Sequence, residues 1–286
     1  MELQDAIPQY LRETSVLPWR EVRIMPIGDI QAGSPGTDWS RLRRHIQWGV
    51  DHDCWFIGMG DYSDFLSPSN RRALRNSGLY DTATDLIERW HDEHLKELTD
   101  VLLPTKGRWL GMHEGHHYYE YSDGTTTDTR LCQSLEAPFL GTCSVLRLPF
   151  RDGSKHGVDC LIWGHHGEGG GDDPLRRLMR VAPGFPQIDI FLQGHNTSID
   201  ARPKDVIEFY GGLSGLKARD RTQMFVATGG FMRGYAVGSR IGSRGRAQGS
   251  YVEKAMMRPT AIGGPLIYIT PRHKHGYAEL DIKVSV

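Results

Sequence analysis

Five times before residue 200 the chain runs through a short apolar segment, reaches a glycine and arrives at a carboxylate or an imidazole. These runs are IMPIGD at Asp29, FIGMGD at Asp61, RWLGMHEGHH at His116 and His117, LIWGHH at His165 and His166, and IFLQGH at His195. Segments this short and apolar, without polar alternation, read as strands covered on both faces. Helical spacing lies between the first of them, and strand, helix, strand, helix is the order of a layered α/β fold. One Asp or His after a strand is an ordinary turn or cap residue. Five such endings carry more weight, because ligands of layered α/β sheets gather beyond the carboxyl ends of the strands, and glycine lets the chain turn there.

The rest of the chain fills in that outline. EVRIMPIG (21–28) is the first core strand, and a helix follows from Thr37 or Asp38, with Leu42, Ile46, Gly49 and Val50 on one face. CWFIGMG (54–60) is a second strand, DLIERWHDEHLKELTDVLL (85–103) an amphipathic helix, RWLGM (108–112) a third strand and DTRLCQSL (128–135) a short helix. SVLRLPF and VDCLIWG form a hairpin around RDGSKHG, IDIFLQG (188–194) is a further buried strand, and 222–227, 266–270 and 277–285 complete the strands. Without repeats or a linker, the expectation is one domain over 1–286, with a basic, glycine-rich segment at about 229–258.

Composition removes several classes. With 38% hydrophobic and 24% charged residues, no run approaches the roughly 18–20 apolar residues of a membrane span. The N-terminal MELQDAIPQY interrupts any secretory apolar region with acids and Pro8, so a cytoplasmic location is expected. Cys54, Cys132, Cys143 and Cys160 contain no CxxC pair, which argues against a disulfide framework or a cysteine zinc site. No P-loop or Rossmann fingerprint occurs. The net charge of -1 hides an asymmetry: residues 217–258 hold nine Lys or Arg against two acids, a local +7, leaving -8 elsewhere.

Taken in order, Asp29-Ile30-Gln31, Gly60-Asp61-Tyr62-Ser63-Asp64, Gly115-His116-His117, Gly164-His165-His166 and Gly194-His195-Asn196-Thr197 resemble the calcineurin-like metallophosphoesterase superfamily over residues 22–200. Its pattern is DxH, GDxxD, GNH(D/E), a lone His and GHxH. The resemblance implies a four-layer α/β/β/α sandwich with two adjacent divalent ions (Mn, Fe, Zn or similar) bridged by an Asp and a hydroxide that attacks phosphorus. It makes Asp61 the bridging carboxylate, Asp29 and Gln31 ligands of the first metal, and His195 with one of His165 or His166 ligands of the second. Asp64 then has a supporting role.

Three departures from the pattern matter. Gln31 replaces a His, although an amide oxygen is a feasible ligand and some relatives that cleave nucleoside diphosphates begin Asp-x-Gln. The GNH block aligns on Gly111-Met112-His113-Glu114 or on Gly115-His116-His117. The second is preferred, making His116 a ligand of the second metal and His117 the catalytic acid, with Glu114 or His113 behind them. Thr197 replaces the last His of GHxH, which predicts a weaker first site.

The segment 231–254 adds Arg233, Arg240, Arg244 and Arg246 among glycines, with Tyr235 and Tyr251, as candidate contacts to a phosphate-rich substrate such as a nucleotide or nucleic acid. The expectation is a metal-dependent phosphoesterase acting on a phosphodiester or nucleotide-type ester. A phosphomonoesterase of the same superfamily, or a nucleic-acid-binding scaffold with a degraded metal site, are the alternatives.

Overall fold

The computed structural model describes residues 10–153, 157–169, 171, 173–212, 215–235, 251–254, 256–274 and 277–286. The VRIMPI run forms strand β3 (Val22–Ile27), whose side chains divide by the strand period of two. Ile24 enters one core with Ile57 and Leu110, while Met25 and Ile27 enter another with Phe56 and Leu42. A strand with apolar partners on both faces is a central one. β3 pairs in parallel with β4 (Trp55–Gly58), and β4 in parallel with β5 (Trp109–Met112). On its other side β3 takes β11 (Leu266–Lys274) antiparallel, and β12 (Tyr277–Ser285) closes that edge of a five-stranded sheet.

The second sheet grows from the hairpin of β6 (Cys143–Arg151) and β7 (Gly157–His165). β8 (Ile190–Gln193) runs parallel to β7, followed by β10 (Gly215–Thr228) and the edge strand β9 (Ile199–Gly212). Two short N-terminal strands, β1 (Tyr10–Glu13) and β2 (Leu17–Pro18), add in parallel to β6.

Three cores separate four layers. Helix α1 (Trp39–Asp51) is capped by Asp38, whose carboxylate accepts the Arg41 N–H at 2.9 Å. It buries Leu42 and Ile46 against the five-stranded sheet, beside Leu95 and Leu98 of α3 (Asp81–Leu102) and Leu131 of α4 (Thr127–Ser134). Between the sheets lie Ile24, Ile57, Leu146, Leu148, Ile162, Ile190 and Val226. Trp163, Phe191 and Phe225, on the outer face of the second sheet, pack on Leu175 and on Leu178 of α5 (Arg176–Val181). The architecture is the four-layer α/β/β/α sandwich that the resemblance implies.

Two features differ from the sequence reading. The strand expected at 222–227 extends back to Gly215 and pairs residue for residue with β9, from Thr228↔Ile199 to Gly215↔Gly212. Residues 215–220 are exposed, so no buried face imposes an apolar period on them. Helix α2 (Pro68–Arg75) buries no residue, which removes the pattern by which helices are recognised. Among the described residues no helix is long and apolar enough to cross a membrane.

Candidate metal centre

Asp61 organises the strand ends. The chain leaves β4 with Gly60 at φ +87° and Asp61 at φ +51°. The turn is clamped by the end of β3: Asp29 N–H donates to the Gly60 carbonyl (2.9 Å) and Gln31 N–H to the Asp61 carbonyl (3.0 Å). The Asp61 carboxylate then collects the loop after β5. Its Oδ1 accepts the backbone N–H groups of His116 (2.5 Å) and His117 (3.2 Å), and its Oδ2 accepts Gln31 Nε2 (3.1 Å). Gly115 is required there, because a Cβ would collide with the Asp61 backbone nitrogen and carboxylate. Its own N–H donates to Asp128 Oδ2 (3.0 Å), so the loop is held between two buried carboxylates. Burial pushes the Asp128 carboxyl up to about 7.

Four donors converge beside Asp61. One ligand atom each of Asp61, His116, His166 and His195 lies within 4.8 Å of all the others. His166 Nδ1 lies 2.6 Å from the Met59 carbonyl, which can only accept, so Nδ1 carries the proton. That leaves Nε2 buried, with no partner in hydrogen-bonding geometry, 3.3 Å from Asp61 Oδ2. Burial, with the charge of His166, lowers the pKa of His116 and takes His195 to about 4, so both rings are neutral and can donate lone pairs at pH 7. Their Nδ1 atoms stand 3.3 Å apart. Burial alone would lower His166 too, but Asp61 and Asp29 draw it up to about 9. Burial would raise Asp61, yet His166, the charge of His117 and the His116 N–H hold it below the usual carboxylate range. A field that favours a proton on Nε2 favours a divalent cation in its place, and the two compete. One carboxylate and three imidazoles are a donor set for Zn, Fe or Mn, and the orphaned Nε2 fits such an ion.

The other expected residues have distinct positions. Asp29 is buried, its Oδ2 accepts the His195 N–H (2.9 Å), and burial pushes its carboxyl up to about 8. Of the two candidates at the end of β7, His166 joins the cluster. Successive strand side chains point to opposite faces, and His165 instead accepts the Gly167 N–H at Nδ1 (2.7 Å) and stacks on Trp163. His117 Nδ1 bonds Asp64 Oδ1 (2.9 Å), and that bond above all raises the imidazole pKa. His113 is no ligand: its Nδ1 meets the Gly58 carbonyl (2.9 Å) and its Nε2 meets Ser144 Oγ (2.8 Å), bolting the two sheets together. Arg233 is engaged by Asp38, with Nε at 2.9 Å from Oδ2, while Arg240, Arg244 and Arg246 lie outside the described residues. Asp128 and the Met59 carbonyl were not singled out from sequence. A helix N-terminal acid and a backbone oxygen look ordinary there.

A cleft of about 460 Å³ opens over the cluster. Asp29, Gln31, Asp61, His117 and His195 form its floor, Asn196, Thr197 and Ser198 follow from the His195 turn, and Met232, Met257 and Arg258 also line it.

No protein-family model matches the sequence, and no curated protein matches it. Among solved structures the chain is similar to vacuolar protein sorting 29 from Cryptosporidium parvum, at 11% identity over 93% of this chain and 98% of that one, with a TM-score of 0.33. It is similar to a conserved uncharacterized protein and predicted phosphoesterase from Streptococcus pneumoniae, at 12% identity over 92% and 98% of the two chains, TM-score 0.33. A calcineurin-like phosphoesterase from Bacillus subtilis is similar at 9% identity over 93% and 90%, TM-score 0.31. The fold and its strand-end residues define a layered α/β sandwich with a candidate metal centre of Asp and His. The likeness to these structures is one of fold alone.

Proposed function

We propose that the protein is a metal-dependent phosphoesterase acting on a phosphodiester or nucleotide-type phosphate ester. The observation that carries this reading is the convergence of four donors: His166 Nε2, buried with no partner in hydrogen-bonding geometry, faces the carboxylate of Asp61 and the rings of His116 and His195. A divalent ion held by these four groups would supply Lewis-acid stabilisation of phosphoryl charge and activation of water. The remaining work falls to the chain. Asp61 orders the loop that carries His116 and His117, and Asp29 fixes the turn that carries His195. Asp64 holds the Nδ1 proton of His117, which leaves Nε2 to hand a proton to the departing ester oxygen in the cleft. Because Asp64 raises the His117 pKa, a larger fraction of His117 carries that proton near neutrality.

Size and charge support the substrate class. A cleft of about 460 Å³ is within the range that takes a nucleotide-sized ligand, and the +7 of residues 217–258 suits a polyanion. Arg240, Arg244 and Arg246 remain proposed phosphate contacts on that ground. Gln31 and Thr197, where the resembled family has imidazoles, favour a competing reading of a nucleic-acid-binding scaffold without turnover.

The test is Mn-dependent hydrolysis of bis-p-nitrophenyl phosphate and of p-nitrophenyl phosphate, with Asp61→Asn as control. Diester turnover abolished by the substitution is the expected result. Full activity in Asp61→Asn refutes the assignment, turnover of the monoester alone selects a phosphomonoesterase, and metal retention without turnover selects the scaffold.

A further inference from the structure

We infer that the centre holds one divalent ion per chain, in the pocket of Asp61, His116, His166 and His195, and that the Asp29 and Gln31 side of the cleft holds none. The inference rests on the phosphoesterase reading for the first ion and goes beyond it in the number of ions and in the role of Gln31.

The argument is a count of lone pairs on Asp61. A carboxylate offers about four acceptor positions. Oδ1 uses two for the N–H groups of His116 and His117, and Oδ2 uses one for Gln31 Nε2. One position remains, on the oxygen that stands 3.3 Å from His166 Nε2, and it belongs to the histidine pocket. A carboxylate bridging two ions needs one more than is left. Gln31 turns its Nε2 to Asp61, and an amide nitrogen that donates a hydrogen bond is no ligand for an ion. Gln31 therefore acts on Asp61 as a positioning residue.

The Asp29 side lacks the donors to compensate. One Asp29 oxygen already accepts the His195 N–H. Thr197, lining the same cleft, offers a neutral alcohol oxygen, a poorer ligand for Mn, Fe or Zn than imidazole. The histidine pocket presents three imidazoles and one carboxylate, whereas the further imidazole that lines the cleft with Asp29, His117, has its Nδ1 held by Asp64.

The experiment is metal content by mass spectrometry after loading the full chain with Mn(II) and removing loosely held ion by gel filtration, with the Mn electron paramagnetic resonance spectrum of the same sample. One ion per chain with the six-line spectrum of an isolated Mn(II) is expected. Two ions per chain with an exchange-coupled spectrum would overturn the inference and leave the phosphoesterase reading standing. No bound ion would overturn the metal-centre reading itself. The double variant Gln31→His, Thr197→His frees the third acceptor position and adds two imidazoles, so its content should rise from one toward two. A folded double variant that stays at one ion would refute the attribution to these residues.

Discussion

His113 makes a quantitative prediction about acid stability. Its Nδ1 must donate to the Gly58 carbonyl and its Nε2 accepts the Ser144 hydroxyl, so the buried ring is neutral and held in one tautomer. Burial, offset only in part by the Gly58 carbonyl, lowers its pKa from 6.5 to about 4. Above pH 6.5 the ring is neutral in the folded and unfolded chain alike, and its full contribution is present. Between 6.5 and about 4 the unfolded chain binds a proton that the folded chain refuses, so stability falls by about 1.4 kcal/mol per pH unit, some 3 kcal/mol in all. His113→Gln keeps a donor and an acceptor and cannot titrate. With chelator present, urea unfolding at pH 7 and pH 5 should show wild type losing about 2 kcal/mol more than the variant over that interval. His45 and His91, which burial also lowers to about 4, occur in both proteins and cancel in the comparison. Equal losses in the two proteins would refute the buried neutral ring.

Three further outcomes follow from the site. His117→Ala should cost roughly 10²–10⁴ in kcat for esters with poor leaving groups and little for p-nitrophenolate, since only the former need a proton. A uniform loss across a leaving-group series would remove the general-acid role. Asp64→Asn keeps an acceptor but removes the negative charge on the bond that raises the His117 pKa, so the basic limb of the kcat/KM profile should move to lower pH, and an unmoved limb would contradict the pairing. Gly115→Ala forces a Cβ onto the Asp61 nitrogen and carboxylate, so the loop must shift and metal content should fall. Unchanged metal content with an unchanged Tm would show that the loop is not packed as described.

Legibility followed burial. β3, β4, β5 and β8 are covered on both faces and are written as apolar runs, while β9, the outer half of β10 and α2 have no covered face and left no period to read. At the site, Asp61, His116, His166 and His195 stand after strand-ending apolar runs, and the structure brings their ligand atoms together. Strand alternation already implied that His165 and His166 point opposite ways. Which of them turns inward depends on how the second sheet packs on the first, and no local pattern encodes that. The three histidines of GMHEGHH posed the same difficulty. His113 turns between the sheets toward Ser144, 31 residues on, and only the tertiary fold supplies that partner.

The backbone offers an independent reason to place function at these strand ends. Asp29, Gln31, Asp61 and His195 all adopt φ between 46° and 58°, the left-handed region that costs a residue with a side chain roughly 1–3 kcal/mol. Glycine at any of them would relieve the strain, and glycines stand next to three of the four, Gly28, Gly60 and Gly194. The strain persists because the turns hold one another: Asp29 N–H on Gly60, Gln31 N–H on Asp61, and His195 N–H on the Asp29 carboxylate. Asp53 and Glu136 adopt the same conformation singly at turns away from the cleft, so one such residue points to nothing. Four in one cleft make sense when the side chains must be presented together, as the proposed metal-binding site requires.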